Sequence, residues 1–206
     1  MKTTLLPRMY RPSTQRGVSL IIILILSIAA VLLGTSAAVI ALQSEKASRG
    51  DRDRQLAFQT AEAALIDAQR DVDTAPGPGI NKRLFAFSAD SVMGFPPPDD
   101  ATTCSSDRGN LGLCKGSLGG TPSWLRINLV TDESASVPYG YFTGQVIPVG
   151  RGALPSALPR YVIELMSYNQ PGAEAAPSSA YRITAIGFGA NRDTHVILQS
   201  FYRKAE

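Results

Sequence analysis

The sequence predicts an α+β fold in which one long N-terminal helix, first transmembrane and then amphipathic, packs on an antiparallel β-sheet of four or five strands. Three observations predict it. Residues 18–42 hold no charged side chain. No proline occurs between residues 18 and 75, so one helix can run through this whole stretch. After residue 124, short segments alternate apolar and polar residues or are rich in β-branched and aromatic ones, as strands are.

The uncharged run 18–42 is the predicted membrane-spanning part of that helix. As a helix it would be about 38 Å long, enough to cross a hydrocarbon core of about 30 Å. Basic residues precede it and a segment of mixed charge follows it, so we expect a cytoplasmic N-terminus and a periplasmic C-terminal domain. The basic leader also explains the formal net charge of +3, because the rest of the chain is net acidic by one. This balance argues against direct nucleic-acid binding.

Three ways of processing this N-terminus remain open from composition. A secretory signal could be cut near Ala37 or Ala41, although the apolar run is longer than signal peptides usually have. The run could also stay as an uncleaved anchor. The third way rests on the sequence RGVSLI at residues 16–21, where a basic leader ends in glycine directly before the apolar helix.

This junction resembles the leader of type IV pilins and of type II secretion pseudopilins. The resemblance implies that a prepilin peptidase cuts the leader, residues 1–17, after Gly17 and methylates the new N-terminal residue, Val18. The family usually has glutamate at the fifth mature position, where it pairs with the N-terminal ammonium of a neighbouring subunit. Here that position is Ile22, which cannot accept the ammonium. The departure suits a subunit at the end of a filament; the alternative is that Ile22 is one more lipid-facing residue.

The predicted helix continues through residues 43–75 with a different pattern. Apolar residues recur at spacings of three and four, which indicates one buried face: Ala57, Ala61, Ala64, Leu65, Ala68 and Val72. We expect the opposite side to carry the charges of Arg54, Glu62, Asp67, Arg70 and Asp71. The alternative is two helices with a hinge near Gly50.

The stretch RDRQLAFQTAEAAL at residues 52–65 resembles the signature of PilX-type minor pilins of the type IV pilus. The later segments PRYVIE, YRITA and LQSFY resemble the same family. This implies assembly through the N-terminal helix with other minor pilins and the major pilin, contact with the inner-membrane assembly machinery, and a tip complex that initiates the pilus and can carry an adhesin. From the inner membrane the protein would then pass to the cell-surface pilus, near its tip.

Residues 76–123 are rich in proline and glycine and predict an irregular loop region. They hold both cysteines, Cys104 and Cys114. In an oxidising periplasm we expect a disulfide between them, the alternatives being reduced thiols or an intermolecular pair. The sheet domain, residues 124–206, follows. We expect its strands at 124–130, 139–147, 160–165, 181–186 and 194–202.

The sequence offers little for catalysis. His195 is the single histidine and lies in a predicted strand, and neither a nucleophile motif nor a phosphate-binding glycine motif occurs. We therefore expect that the protein is not an enzyme and that it binds no metal and no cofactor. Two other functions stay open: the tip pseudopilin of type II secretion, and a singly anchored periplasmic binding or adhesive protein.

Overall fold

The computed structural model describes the chain in segments: residues 17–73, 83, 85–87, 91–97, 103–116, 121–131, 135–168 and 178–204. The chain divides into two compact units, residues 1–48 and residues 49–206. Most of the predicted leader, residues 1–16, and several parts of the predicted loop region 76–123 lie outside the described residues.

The first element is a single long helix, α1, at Val18–Asp73. It begins directly after Gly17 and includes Gly50, the position of the alternative hinge. The absence of proline allows every backbone N–H in this stretch to keep its intrahelical partner. The prolines and glycines at residues 76–79 lie outside the described residues.

The described strands form one mixed sheet of five, which agrees with the expected α+β class. Their bounds are β1 Leu113–Cys114, β2 Val137–Pro138, β3 Arg160–Tyr168, β4 Ser178–Phe188 and β5 His195–Tyr202. The order is β1-β3-β4-β5, with β2 also paired to β3. The sheet is antiparallel except for β1, which runs parallel to β3 with Leu113 opposite Ile163. β1 also comes from the segment expected to be irregular.

The three later predicted strands are confirmed. β3 and β4 are longer than expected, and β5 has nearly the expected bounds. Strands β3 and β4 form a long antiparallel pair, in which Arg160 lies opposite Ile186. Strands β4 and β5 form a second long antiparallel pair, in which Tyr181 lies opposite Tyr202. These three segments are rich in β-branched and aromatic residues and hold no glycine with a positive φ angle, so their local preference and their packing agree.

The predicted strand at 124–130 is wrong. Ser123–Leu125 is a short 3-10 helix, and turns follow it. The Asn128 side chain accepts hydrogen bonds from the backbone N–H groups of Val130, at 3.0 Å, and Thr131, at 3.4 Å. This local asparagine turn competes with strand pairing and overrides the apolar–polar alternation.

The predicted strand at 139–147 is also wrong. Only the two preceding residues, Val137–Pro138, pair with β3. Gly140 and Gly144 adopt φ angles of 79° and 72°, and the Gly144 N–H donates to the Gly140 carbonyl at 2.7 Å. Two glycines in the left-handed region turn the chain sharply, whatever the β propensity of the aromatic residues between them.

The second half of α1 packs closely on one face of the sheet, because its contact residues are small. A Cβ atom at Gly187 would overlap the Ala57 carbonyl oxygen and the Ala61 nitrogen. The Thr60 hydroxyl lies 3.2 Å from the Phe188 carbonyl oxygen and donates to it. Glycine on the strand and alanines on the helix therefore let two backbones approach each other.

The sheet separates two hydrophobic cores. The first lies between the sheet and α1 and includes Ala64, Ala68, Tyr161, Ile163 and Ile183. The second lies on the opposite face, and its buried members are Cys104, Cys114, Leu129, Ala135, Val162, Ile186 and Phe188. Because side chains alternate along a strand, neighbouring residues of β3 and β4 serve different cores.

Candidate assembly surface

The apolar half of α1, residues 18–42, exposes all of its large hydrophobic side chains. Each of them is between 52% and 72% exposed, Val39 and Ile22 least and Leu20 and Leu33 most. A soluble chain would bury such side chains, so this surface needs a partner outside the described chain. By length and composition the helix can also cross a membrane.

Two polar residues inside this apolar half bond to the helix itself. The Thr35 and Ser36 hydroxyls both donate to the Leu32 carbonyl oxygen, at 3.0 Å and 2.8 Å. Such back-bonding lets hydroxyl groups enter an apolar environment without losing their hydrogen bonds. The segment is therefore compatible with lipid and with a packed bundle of apolar helices.

The predicted processing residues lie at the beginning of this surface. Gly17 directly precedes the first helical residue, Val18, and nothing lies within 4 Å of a Cβ atom placed on Gly17. Ile22 is exposed in the second turn of the helix. The structure therefore places the three predicted residues next to one another on the accessible end of α1.

The second half of α1 differs from the prediction in one respect: Asp67 and Asp71 are buried, not on the exposed side. The expectation was wrong because helical periodicity places these acids beside Ala64 and Ala68, on the face that meets the sheet. Arg54, Glu62 and Arg70 are exposed as expected. Buried carboxylates require partners, and the structure supplies a set for each.

Asp71 is the centre of a buried ion pair. Its carboxylate accepts hydrogen bonds from the Arg83 guanidinium, at 2.5 Å and 3.4 Å, and from the Tyr161 hydroxyl at 3.0 Å. Arg83, only 1% exposed, also donates to the Leu111 carbonyl and stacks 3.7 Å above the centre of the Phe142 ring. Burial raises the pKa of Tyr161 well above its ordinary value, and the Asp71 charge raises it further.

Asp67 holds the turn that follows β2. Its carboxylate accepts the Gly140 N–H at 2.8 Å and the Thr143 hydroxyl. Burial raises the pKa of Asp67 from its ordinary value, although the two hydrogen bonds oppose this shift. The acid therefore fastens the glycine-containing turn to the helix.

A second buried carboxylate network lies on the other face of the sheet. Glu164 of β3 pairs with Arg182 of β4 at 2.6 Å and 2.9 Å, and accepts the Ser123 N–H at 2.6 Å. The Ser123 hydroxyl donates to the Lys115 carbonyl at 2.7 Å. This network attaches the short 3-10 helix and the end of the cysteine-containing segment to the central strands.

The two cysteines form a disulfide, Cys104–Cys114, buried in the second core. Cys114 belongs to β1, and Cys104 forms an isolated bridge with it. The disulfide covers the face of the sheet opposite α1. It closes a loop of ten residues in sequence and is thus a structural element of the domain.

The described residues include no group of three or more histidine, cysteine, aspartate or glutamate side chains that could hold a metal. His195 lies exposed at the first position of β5. The polar clusters that do exist, around Asp71, Asp67 and Glu164, are buried and engaged in internal bonds. Among the described residues, the longest run of exposed large apolar side chains lies in the apolar half of α1.

Two family models match the chain and together span most of it. The model described as PilX N-terminal matches residues 16–65, and the model described as type IV pilus assembly protein PilX C-term matches residues 101–204. The chain belongs to the PilX family of type IV pilus assembly proteins. The first match includes the exposed apolar half of α1, and the second includes the disulfide and all five strands.

No curated protein and no solved structure matched the chain. Membership of the PilX family implies association with other pilins in a type IV pilus complex. Sequence reasoning identified the apolar surface and its first residues. It did not single out Arg83, whose only sequence signal is a cation in a segment rich in turn residues.

Proposed function

We propose that this chain is a minor pilin that is processed after Gly17, methylated at Val18 and assembled in a priming complex at the pilus tip. The observation that carries the proposal is the apolar half of α1, which starts at Val18 and exposes every large side chain. Before assembly, lipid covers this surface in the inner membrane, with the C-terminal unit in the periplasm. During assembly, the helices of other pilins replace the lipid.

The role is mechanical rather than enzymatic. Moving an apolar helix from lipid into a bundle of apolar helices changes little in hydrophobic burial, so the transfer depends on packing and on a few polar contacts. The Ile22 side chain provides no acceptor for the ammonium group of an incoming subunit. A subunit that packs its helix but does not receive a neighbour at this position suits the filament tip.

N-terminal mass spectrometry of the protein purified from membranes and from sheared pili tests the processing step. We expect a chain that begins with N-methylated Val18 in both fractions. The Gly17→Leu variant places a bulky side chain at the cleavage position. It should retain the leader, residues 1–17, and be absent from pili. An intact leader on the native chain, or a start near residue 38, would contradict the proposal.

Exchange of the fifth mature residue tests the tip position. Ile22→Glu restores the acceptor and should raise the amount of this subunit in sheared pili relative to major pilin. Ile22→Gln is the matched control, since it is polar and of the same length but uncharged. Equal amounts of the two variants in pili would argue against the role of Ile22.

A deletion strain should lose surface pili while it keeps its major pilin.

The type II secretion alternative is tested in the same deletion strain. The family description names the pilus, which favours the pilus assignment. A strain that kept normal pili but lost secreted proteins would reverse this preference.

A further inference from the structure

One row of exposed side chains follows α1 in the unit formed by residues 49–206. We call it the outer row; its members are four residues apart and all exposed: Arg54, Phe58, Glu62, Ile66 and Arg70. Phe58 and Ile66 are 43% and 49% exposed. Residues four apart on a helix are surface neighbours, about 6 Å apart along the axis.

The outer row alternates charged and apolar side chains. Its central residue, Glu62, has no cationic partner nearby on the same helix. Positions three and four residues on either side of Glu62 hold Phe58, Gln59, Leu65 and Ile66, none of them cationic. The two arginines of the row are each eight residues, about 12 Å, from Glu62. Within one copy, Glu62 therefore has no cation within one turn of the helix, whereas Arg54 and Arg70 each have an aspartate three residues before them.

We propose that the outer row binds the outer row of a second copy of this chain, parallel to it and offset by eight residues. With this offset Phe58 meets Ile66 of the second copy. Arg54 then meets Glu62 of the second copy, and Glu62 meets Arg70 of the second copy. One apolar contact is flanked by two ion pairs of opposite sign, so charge and hydrophobicity are both complementary.

Other offsets of the same two rows are not complementary. Without an offset, Glu62 faces Glu62, and each arginine faces its own equivalent. An offset of four residues places Phe58 against Glu62 and Arg54 against Phe58, which pairs charged groups with apolar ones. Like charges and unpaired charges at a contact are unfavourable, so the row selects the eight-residue offset.

The offset makes the contact heterologous: one copy uses the first part of its row and the other copy uses the last part. Such a contact does not close on itself. In the proposed tip complex it joins one copy to a second. The parallel direction rests on the proposed function, in which both helices enter the same membrane from the same side. The step of about 12 Å would set the axial spacing of adjacent copies.

Cysteine cross-linking of the full chain in lipid nanodiscs or detergent tests the pairing. Chains carrying Phe58→Cys are mixed with chains carrying Ile66→Cys and treated with a short bismaleimide. We expect the mixture to give several times more dimer than either variant alone. Equal yields in the three samples, or most dimer from Phe58→Cys alone, would overturn the proposal. Val146→Cys, at a position 90% exposed and away from the row, gives the background yield.

Charge reversal tests the two ion pairs without removing the apolar contact. In the cross-linking pair, Glu62→Arg should lower the dimer yield about fivefold, because it replaces two attractions by repulsions of similar size. The triple change Arg54→Glu, Glu62→Arg and Arg70→Glu restores every pair with reversed sign and should restore the yield. Val146→Arg adds a cation away from the row and should have no effect. A triple variant as weak as Glu62→Arg would overturn the proposal.

The same variants separate this proposal from the proposed function. If the cysteine mixture gives no excess of dimer while the native chain is still processed and supports piliation, the self-association is refuted and the pilin role stands. If cross-linking in cell membranes captures another pilin and not a second copy, the assignment of the occupant is refuted. A product containing two copies with the eight-residue offset supports it.

Discussion

The two halves of α1 have opposite relations to the chain that contains them. From residue 18 to residue 42 the large apolar side chains are exposed, whereas from Ala57 to Val72 small residues and even two carboxylates are buried. Composition accounts for this difference. The first half is apolar on all sides and has no stripe to direct toward a sheet, whereas the second half has one face of alanines that fits a sheet closely.

The comparison teaches that burial in this chain does not follow hydrophobicity. The most apolar segment has every large side chain more than half exposed, and in the proposed function lipid or pilin helices cover it. The buried charges of Asp71 and Arg83 are compatible with the fold because they pair with each other. Substitutions in the two halves should therefore affect different properties: assembly for the first half and stability for the second.

The largest effect is expected from Asp71→Ala, which leaves the Arg83 guanidinium buried without its carboxylate. Unfolding should become easier by roughly 3–5 kcal/mol. Urea unfolding in detergent, followed by the fluorescence of the single tryptophan, Trp124, measures it. Leu33→Ala, in the exposed half, should leave the same transition unchanged. Equal destabilisation by both changes would break the contrast between the halves.

A smaller loss is expected from Gly187→Ala. The added methyl group would overlap backbone atoms of Ala57 and Ala61, which cannot move without shifting the helix. We expect a cost of about 1–3 kcal/mol in the free energy of unfolding. Gly34→Ala is the matched control, since nothing lies within 4 Å of its new methyl group. Its transition should stay at the native value, and a stable Gly187→Ala would contradict the close packing.

Asp67→Asn should change how the free energy of unfolding depends on pH. It should have little effect on the free energy of unfolding at low pH. Burial raises the pKa of Asp67 above its ordinary value of 3.8, so the folded chain holds this proton more tightly than the unfolded chain. Its contribution is fully present below the ordinary pKa and is lost as the pH rises through the raised value. The stability difference between native and variant should therefore shift in favour of the variant as the pH rises above the ordinary value of 3.8 and through the raised pKa of Asp67.

Urea transitions of both proteins at several pH values measure this difference. The amide of the variant is neutral throughout, and its oxygen can still accept the Gly140 N–H. Parallel curves for the two proteins would show that Asp67 is not the group responsible.

The smallest effect is expected from Tyr202→Phe. The Tyr202 hydroxyl donates to the Asp73 carboxylate at 2.6 Å, and this bond raises the pKa of Tyr202 to about 12. Because Asp73 is exposed, removing the hydroxyl should cost about 0.5–1.5 kcal/mol in the free energy of unfolding. The same urea assay resolves it, and a loss above that of Gly187→Ala would reverse the expected order.

Local pattern predicted much of the fold. The bounds of α1 and the three long strands followed from proline-free length and from dense β-branched and aromatic residues, which are properties of consecutive residues. The segments 124–130 and 139–147 failed because single residues, Asn128 and the two glycines Gly140 and Gly144, impose turns that alternation does not register. The two-residue strand β1 has no periodicity to detect.

The candidate surface was predictable for a different reason. The apolar half of α1 was found because a run without charged residues leaves no polar face on the helix. The roles of residues 17, 18 and 22 came from the resemblance to pilin leaders and stay predictions. The buried network was not, since Asp71, Arg83 and Tyr161 are far apart in sequence and only the fold brings them together. The charge of Asp71 suggested an exposed location, which is the usual expectation for an unpaired aspartate.

The two cores on opposite faces of one sheet have a consequence for tolerance to change. Successive residues of β3 and β4 point to different layers, so the α1-facing layer and the layer under the disulfide share only the backbone of the strands between them. Exchanges among the side chains of the layer under the disulfide can then alter what the domain presents outward, whereas Leu113, next to Cys114, belongs to the α1-facing layer and should tolerate less change.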